Sequence, residues 1–501
     1  MVFNSTLSQK EEKVRLENTY AEELLGCYVP WHPAHVKKPA LLQLNYPLAC
    51  QLGFVVDNVD SSRWAAIFSG NEQLPGCFPL AQAYAGHQFG VFSPTLGDGR
   101  ALLLGEIVDR LARRYDIALK GSGPTPFSRG GDGQAALGPV LREYLIGEAM
   151  HALGIPTTRA LAAVSTGTVV HRDTSLPGAV LTRVAASHLR IGTFEFFAAR
   201  GEFDRVQKLV DYAIRRHDSE LINHPDRYVE WLRAIANRHA QLIAQWMHVG
   251  FIHGVMNTDN VTISGETIDY GPCAFMETHD PQAVFSSIDH QGRYAYGNQP
   301  RIAQWNFLRL AETVLPLIAE HDPGRSLSRV VDIIEAFPAR YEIHWLSVAR
   351  DKLGLITNEP DDGILARDWI VLLEESAVDH TLAWRRLADA AEGNEQSLAS
   401  LFVTTTKLSR WLGRWRERSR RDPTRVLTQA ERMRRVNPLY IPRNYQVEEA
   451  LTAATVHADL QPFERLLEVL AHPFEERADS ASYAEPAPAE ATACYKTFCG
   501  T

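Results

Sequence analysis

The residues best suited to chemistry lie in one stretch, 253–271, with the sequence HGVMNTDNVTISGETIDYG. Asn260 follows His253 by seven positions, and Asp269 begins an Asp-Tyr-Gly at the end of the stretch. An amide oxygen and a carboxylate are hard ligands of the kind that Mg²⁺ and Mn²⁺ prefer. The stretch therefore predicts a divalent-metal site, and a surface loop of ordinary turn residues is the alternative.

This spacing is typical of the catalytic loop of protein kinases, in which H-R-D-x-x-x-x-N precedes D-F-G and the Asn and Asp hold Mg²⁺ on ATP phosphates. The catalytic Asp of that loop corresponds to Val255, which cannot accept a proton. Asp259 is the nearest carboxylate that could replace it. The pattern therefore argues against ordinary γ-phosphoryl transfer.

Two elements must position this stretch. Apolar residues recur at helical spacing from 228 to 250, which predicts a long helix with Gly250 as its C-cap. The run 261–268 predicts a short β-hairpin with its turn at Gly265-Glu266. Such a hairpin would bring Asn260 and Asp269 side by side.

The N-terminal half contains further kinase-like elements. Residues 116–120, DIALK, resemble the kinase strand V-A-I-K, whose Lys contacts phosphates and pairs with a Glu on the next helix. A helix is predicted from Gly138 to about Leu153, and its Glu143 is the natural partner for Lys120. The alternative is a solvated Lys at a strand end and a Glu on a solvated helix face.

Two glycine-rich segments flank the Lys strand. Gly97-Asp98-Gly99-Arg100 precedes a predicted strand at 101–107, and such a turn lets backbone N–H groups approach a phosphate. Ser128–Gly133, SRGGDG, could close over a nucleotide. A hairpin turn and a plain loop are the respective alternatives.

Several motifs together resemble the selenoprotein O (SelO, YdiU) family: GHQFGVFSPTLGDGRALLLGE, ALKGSGPTPFSRGGDG, SHLRIGTFEFF, HGVMNTDN, IDYGPCAFME and RVNPLYIPRNY. The resemblance covers most of the chain. It implies a protein-kinase-like fold that binds ATP in a flipped orientation and transfers AMP, or UMP from UTP, to Ser, Thr or Tyr hydroxyls of proteins, itself included. It also implies Mg²⁺ or Mn²⁺ as the cofactor.

The resemblance assigns roles to individual residues. Asp259 would be the proton acceptor, Asn260 and Asp269 the metal ligands, and Glu143 the partner of Lys120. Nucleotide contacts would fall on Gly97, Gly99, Arg100, Lys120, Asp132, Gly133, Arg183, Arg190 and Asp269. The sequence departs from the family pattern at Gly130 and Gln134, beside the G-D-G of the second glycine-rich segment.

The expected organisation is an α+β, protein-kinase-like two-lobed fold with helical N- and C-terminal extensions. The predicted boundaries are an N-terminal extension at 1–75, an N-lobe at 76–185, a C-lobe with the metal site at 186–345, a helical extension at 346–475 and a flexible tail at 476–501. At 501 residues, 45% of them hydrophobic, the chain can bury two or three cores.

Charge and hydropathy exclude other classes. The net charge of −9 argues against a nucleic-acid binder, and the Arg-rich stretch 410–435, with Trp411 and Trp415, predicts a helix with one packed face. No apolar run approaches the roughly 20 residues that span a bilayer, and the N-terminus lacks a signal-peptide core. We therefore expect a cytoplasmic protein without membrane or nucleic-acid partners.

The six cysteines show no CxxC pair and no zinc spacing. The resemblance implies a disulfide between Cys273 and Cys499, with Cys494 as an alternative tail partner and two unrelated thiols as the other possibility. For the whole protein, a kinase that moves the γ-phosphate and an inactive nucleotide-binding scaffold are the rival functions.

Overall fold

The computed structural model describes residues 14–56, 60–318, 323–423, 427–488 and 495–498. The chain divides into two units. The first comprises the chain up to Ala83, Gly97–Val140 and Ala160–His188, and the second comprises Tyr84–Leu96, Leu141–Arg159 and the chain from Leu189 onwards. The chain returns to each unit more than once, and the predicted lobe and extension boundaries stay predictions.

The strands, in chain order, are β1 (Tyr28–Pro30), β2 (Ala40–Leu44), β3 (Leu80–Gln82), β4 (Gly86–Gln88), β5 (Val91–Ser93), β6 (Ala101–Val108), β7 (Arg114–Lys120), β8 (Ala135–Ala136), β9 (Arg159–His171), β10 (Ser175–Ala185), β11 (Phe251–Ile252) and β12 (Ala274–Phe275). Three separate sheets contain these strands.

The α-helices, in chain order, are α1 (Thr19–Glu23), α2 (Tyr46–Gln51), α3 (Ser61–Ser69), α4 (Leu137–Ala152), α5 (Ile191–Ala198), α6 (Phe203–His217), α7 (Arg227–Val249), α8 (Gln299–Ile318), α9 (Pro323–Glu335), α10 (Phe337–Lys352), α11 (Asp362–Ser376), α12 (His380–Ala391), α13 (Glu395–Ala399), α14 (Thr406–Ser419), α15 (Gln429–Arg434), α16 (Asn444–Val456) and α17 (Gln461–Leu470). The mixture of a large sheet and many helices confirms the predicted α+β class.

The first unit is built on one eight-stranded sheet with the order β1-β3-β6-β7-β10-β9-β2, with β8 paired to β10. The predicted strands at 101–107 and 116–120 are confirmed as β6 and β7, which pair antiparallel. Their apolar residues pack with those of α3, where the rings of Trp64 and Phe68 stack at 5.3 Å. Burial of the apolar side chains on this face of the sheet fixes the position of β7, the strand that carries Lys120.

The second unit is mainly helical. The predicted long helix is confirmed as α7, which ends at Gly250 in the left-handed conformation that favours glycine. The predicted helix from Gly138 is confirmed as α4.

Residues 410–419 of the Arg-rich stretch lie in α14, and this helix has the predicted packed face. Trp411 and Trp415 are buried in a core of the C-terminal helices, and Trp411 lies 4.5 Å from the ring of Trp369. The arginines of this helix therefore lie on the face away from that core or, like Arg418, in ion pairs.

Part of the predicted flexible tail is ordered. Ala478–Ala484 is a 3-10 helix in which Ser480 is buried. Gln446 donates to the carbonyl of Ser482, and Arg443 donates to that of Ala484. The prediction of a flexible tail is wrong for residues 478–484, because their backbone is hydrogen-bonded to α16 and its N-cap. Among the described residues, no helix is long and apolar enough to cross a membrane.

Candidate active site

The chemistry-bearing stretch begins between two short strands of the second unit. Immediately after Gly250, β11 pairs antiparallel with β12, so that Phe251 lies opposite Phe275 and Ile252 opposite Ala274. The residues from His253 to Cys273 form the long connection between these strands. The pairing anchors both ends of the connection.

The predicted β-hairpin over 261–268 is wrong. Thr262 instead pairs with Arg190, and Thr267 pairs in parallel with Thr157. The Thr262 hydroxyl donates to the carbonyl of Glu266 at 2.7 Å and closes a tight turn. The prediction is wrong because the residues on either side of the turn pair with other segments of the unit and not with each other.

His253 has a structural role in this connection. Its ring is buried, stacks on Trp246 at 5.5 Å, and donates from Nε2 to the carbonyl of Ile268 at 2.9 Å. Burial lowers the pKa of His253, so the ring is neutral near pH 7. The neutral ring thereby ties the start of the loop to the residue before Asp269.

Asp259 lies in the 3-10 turn Thr258–Asn260 and is 8% exposed. Its Oδ2 accepts a long hydrogen bond of 3.4 Å from Gln88. Its Oδ1 is buried and has no hydrogen-bond partner in the described part of the chain. Burial raises the pKa of Asp259 to about 6, and the charge of Asp269 also raises it, whereas the charge of Arg190 lowers it. A carboxylate in this state is suited to accept a proton near neutral pH.

Asp269 has a left-handed backbone, with φ of +62°, which Asp tolerates better than most residues. Its Oδ2 forms an ion pair with Nη1 of Arg190 at 2.5 Å. The same Nη1 donates to the backbone carbonyl of Asp259 at 2.7 Å, and the guanidinium lies 4.8 Å from the ring centre of Tyr84. Arg190 thus holds the two acidic residues in one place.

The proposed metal ligands suit a hard divalent cation. The amide nitrogen of Asn260 donates to the carbonyl of Val255 at 3.0 Å, which leaves the amide oxygen as the atom that would bind a cation. Arg190 connects Asp269 to the backbone carbonyl of Asp259, the residue before Asn260. The side chain of Asp269 is 19% exposed. One amide and one or two carboxylates are what a Mg²⁺ or Mn²⁺ shared with substrate phosphates requires of the protein. Among the described residues, no group of three or more His, Cys, Asp or Glu side chains is arranged to hold a metal ion by itself.

Sequence reasoning missed the β4–β5 hairpin, which lies against the catalytic loop. A Cβ on Gly86 would lie 2.3 Å from Oδ1 of Asp259, so only glycine fits there without a shift. The neighbouring Gln88 contributes the hydrogen bond to Asp259. The motif GHQFG was part of the family resemblance, but no local spacing connects it to a residue so far along the chain.

A hydrogen-bonded group of polar side chains supports the same loop. Nδ1 of His87 lies 2.6 Å from Oε1 of Glu195, and the hydroxyl of Thr258 donates to Oε2 of Glu195 at 2.5 Å. The backbone N–H of His87 donates to the Thr258 hydroxyl at 2.7 Å. These bonds fix the residue before Asp259, and sequence reasoning did not identify His87 or Glu195.

In the first unit, two of the predicted phosphate contacts share one face of the sheet. Lys120 lies opposite Leu181 in the β7–β10 pair, and Arg183 lies opposite Ala118. Since side chains alternate along a strand and paired residues point the same way, Lys120 and Arg183 are diagonal neighbours. Arg183 is buried and its Nε donates to Nε2 of His188 at 3.2 Å.

The first glycine-rich segment is tightly packed. Gly97 has φ of +70°, and a Cβ there would lie 2.3 Å from the ring of Phe127. The hydroxyl of Thr125 donates to the carbonyl of Asp98 at 2.6 Å. The carbonyl of Arg100 accepts from the N–H of Gly121, the residue after Lys120. These contacts explain the glycine at 97, and the nucleotide contacts of Gly97, Gly99 and Arg100 stay predictions.

The second glycine-rich segment contains an ion pair. Asp132 accepts two hydrogen bonds from Arg172, at 2.9 and 3.0 Å, which lower the pKa of Asp132. Gly133 has φ of +64°, and a Cβ there would lie 2.1 Å from the carbonyl oxygen of Gly123. The predicted roles of Asp132 and Gly133 in nucleotide binding stay predictions.

Four further predicted residues belong to the second unit or the tail. Glu143 is buried in α4, and its pairing with Lys120 stays a prediction. Cys273 is a buried free thiol whose pKa burial raises to about 11. Cys499 and Cys494 lie outside the described residues.

A buried, incompletely bonded carboxylate beside an amide oxygen and a second carboxylate suits general-base chemistry on a hydroxyl group next to a divalent cation. The family model described as protein adenylyltransferase SelO matches residues 12–471. The chain therefore belongs to the SelO family.

Individual relatives are similar over nearly their whole length. A protein of Cereibacter sphaeroides is 58% identical over 489 residues, covering 97% of this chain and 99% of the relative. One of Chromobacterium violaceum is 57% identical, covering 95% and 99%. One of Rhizobium rhizogenes is 53% identical, covering 97% of each. All three are called protein nucleotidyltransferase YdiU.

Proposed function

We propose that this protein transfers a nucleoside monophosphate, AMP or UMP, from the triphosphate to Ser, Thr or Tyr hydroxyls of proteins, itself included, and releases pyrophosphate. The observation that carries the proposal is the state of Asp259, which is buried, incompletely hydrogen-bonded and shifted to a pKa of about 6. Family membership supports the same reaction, and with it a protein-kinase-like fold.

In the proposed reaction Asp259 accepts the proton of the incoming hydroxyl as its oxygen forms a bond to the α-phosphorus. The bond from the α-phosphorus to the bridging oxygen breaks, and pyrophosphate leaves with that oxygen. Negative charge therefore grows on the β- and γ-phosphates. Lys120 and Arg183, as cations on one sheet face, are proposed to stabilise that charge, and Gly97, Gly99, Arg100, Asp132 and Gly133 to contact the nucleotide.

Asn260 and Asp269 are the proposed ligands of Mg²⁺ or Mn²⁺. A cation bound there would offset the negative charge of the phosphate that is transferred. Arg190 holds the Asp269 carboxylate in place, and we propose that it also contacts the nucleotide. Its contacts with both acidic residues make it an orienting group for them as well.

Transfer of the γ-phosphate is the rival reaction. Val255 occupies the position of the kinase base, is 6% exposed and has no group that accepts a proton. Asp259, four residues on, sits in a different part of the loop. The absence of a base at the kinase position counts against transfer of the γ-phosphate.

The test is the position of the label that moves. Purified protein is incubated with Mg²⁺ or Mn²⁺ and with ATP labelled at the α- or the γ-phosphate, and protein-bound label is counted. We expect α-label on protein, including the enzyme itself, and none from the γ-position. Asp269→Ala serves as the blank, and a parallel series with α-labelled UTP decides between AMP and UMP. Label from the γ-position alone would establish the kinase instead.

We also propose that a disulfide between Cys273 and Cys499 regulates the enzyme. The hydroxyl of Thr497, two residues before Cys499, lies 2.7 Å from the carbonyl oxygen of Pro272, the residue before Cys273. The raised pKa of Cys273 makes its thiolate scarce at neutral pH, so the bond should form slowly without a catalyst. Peptide mapping of non-reduced protein should find the cross-link, and Cys499→Ser should make activity insensitive to dithiothreitol. A reductant dependence that persists in Cys499→Ser contradicts this pairing.

A further inference from the structure

The three residues that follow Asp269-Tyr270 have their carbonyl groups held from outside the loop. Nε of Arg142 donates to the carbonyl of Gly271 at 3.2 Å, and its Nη2 donates to that of Cys273 at 2.7 Å. The carbonyl between them, that of Pro272, accepts from the hydroxyl of Thr497 at 2.7 Å. The backbone after the proposed metal ligand is therefore held jointly by α4 and by the C-terminal segment.

Arg142 is itself oriented by the C-terminal segment. It is 7% exposed, and its Nη1 pairs with Glu448 at 2.9 Å. The hydroxyl of Tyr495 donates to the same Glu448 oxygen at 2.8 Å and accepts from Nη2 of Arg142 at 3.3 Å. A buried guanidinium needs such partners on every side, because an unpaired buried donor is costly.

The segment 495–498 is docked rather than loosely placed. The N–H of Thr497 donates to the carbonyl of Phe285 at 2.8 Å, and the N–H of Ser287 donates to the carbonyl of Thr497 at 2.9 Å. The ring of Tyr495 lies 5.9 Å from that of Phe285. Lys496 donates to the carbonyl of Val284, which lies outside residues 269–273.

The held carbonyls also lie against the catalytic loop. A Cβ on Gly254 would lie 2.4 Å from the carbonyl oxygen of Pro272, so the two backbones are in close contact. Asp269 adopts a positive φ, a backbone conformation of higher energy that the surrounding contacts help to hold. A change in the position of Pro272 would therefore be felt at both Gly254 and Asp269.

We propose that Tyr495 and Thr497 are positioning residues of the active site, acting through Arg142 and the carbonyls of residues 271–273 to hold Asp269 in its metal-binding conformation. This inference rests on the proposed role of Asp269. This positioning depends on hydrogen bonds alone and needs no thiol chemistry. The C-terminal segment would thereby support the conformation of the active site.

The first test measures the metal requirement. Tyr495→Phe and Thr497→Val each remove one hydroxyl with little change of volume, and Lys496→Ala is the matched control in the same segment. All are assayed in full-length protein with dithiothreitol. We expect the Mn²⁺ concentration for half-maximal transfer to rise roughly threefold to tenfold in the two hydroxyl variants, as the loss of a hydrogen bond implies. Lys496→Ala should match the wild type.

The second test does not depend on transfer. Hydrogen exchange of the peptide covering residues 269–276 is compared in the metal-free proteins, and Mn²⁺ binding is measured by electron paramagnetic resonance. The hydroxyl variants should exchange faster in this peptide and bind Mn²⁺ more weakly. Unchanged exchange in either variant, or the same increase in Lys496→Ala, overturns the positioning role. A wild type that binds Mn²⁺ but transfers no nucleotide refutes the proposed function alone.

Discussion

Two buried aspartates of the second unit have opposite surroundings. Asp362, at the start of α11, accepts hydrogen bonds from Nε of Arg350 at 2.8 Å, Nε of Arg418 at 2.6 Å and the N–H of Glu359 at 2.9 Å. Burial acts to raise its pKa, but these bonds outweigh burial and the pKa is lowered. Asp259 has one long bond to Gln88, and its pKa is raised to about 6.

This difference distinguishes a carboxylate that stabilises the fold from one whose surroundings suit it to accept a proton. Asp362 is saturated with donors and links the start of α11 to α14 through Arg418. Asp259 is buried without enough hydrogen bonds to compensate for its loss of hydration. A carboxylate in this state can take a proton. Asp269 is intermediate, since it is ion-paired with Arg190 but 19% exposed.

The largest effect is expected at Asp269. Asp269→Ala removes the only carboxylate among the two proposed metal ligands and should reduce α-label transfer to the background rate. Binding of the nucleotide, measured by fluorescence with a labelled analogue, should be weakened much less than transfer. Transfer near the wild-type rate with saturating Mn²⁺ would show that the metal is held elsewhere.

The next effect is expected at Asp259, with Asp362 as the comparison. Asp259→Asn keeps the shape and removes the base, so transfer should slow by roughly 10²–10⁴-fold. Asp362→Asn, assayed at low temperature where it remains folded, should transfer within about threefold of the wild type because the residue lies outside the site.

The pH profile tests the same assignment. The proposed base, Asp259, accepts a proton only when it is ionised, so kcat/KM of the wild type should rise with pH up to about 6 and then level off. Below that value the rate should fall about tenfold per pH unit. A flat profile from pH 5 to 7, or an Asp259→Asn rate close to the wild type, would leave the proton acceptor unassigned.

The sequence predicted the regular elements of this protein better than the loops between them. Helix α7 with its Gly250 cap and the packed face of α14 followed from the spacing of their residues and from a capping signal, and strand β7 followed from its likeness to a short kinase motif; all of these signals are local. The hairpin at 261–268 was wrong because Thr262 and Thr267 pair with Arg190 and Thr157. Pairing of such short runs is decided by tertiary neighbours, which periodicity does not report.

The same limit applies to the site. The types of Asn260 and Asp269 and their spacing were enough to suggest a metal, and the missing base at Val255 directed attention to Asp259. The raised pKa of Asp259 was not predictable, since it depends on burial beneath Gly86 and Gln88. Contacts between residues distant in the chain have no signature in a single sequence.

A smaller effect is expected at Gly86. Gly86→Ala places a methyl group where Oδ1 of Asp259 now lies, so the carboxylate must move. Transfer should fall roughly tenfold to a hundredfold, the cost of misplacing a catalytic group by about 1 Å. Gly413→Ala in α14, where a Cβ meets nothing within 4 Å, is the matched control and should leave the rate unchanged. Equal rates in the two variants would mean that the hairpin does not constrain Asp259.

The smallest effect concerns stability, and its sign differs between the two aspartates. The pKa of Asp259 is higher in the folded protein than its ordinary value of 3.8. Its contribution to the free energy of unfolding is therefore fully favourable below pH 3.8 and is lost as the pH rises through about 6. Asp259→Asn mimics the protonated form and should raise the free energy of unfolding at pH 7.5 by roughly 1–3 kcal/mol.

Asp362 should behave in the opposite way. Its folded-state pKa is lowered, so its contribution is present at neutral pH and is lost as the pH falls through that lowered pKa. Asp362→Asn leaves Arg418 without its main counter-charge and should lower the free energy of unfolding at pH 7.5 by about 3 kcal/mol.

Urea denaturation at pH 7.5 and pH 5 measures both variants against the wild type. The gain from Asp259→Asn should shrink at pH 5, where the wild-type carboxyl is already protonated. A loss of stability in Asp259→Asn at pH 7.5, or a gain that is the same at both pH values, would show that Asp259 is satisfied in the folded protein and would remove the contrast with Asp362.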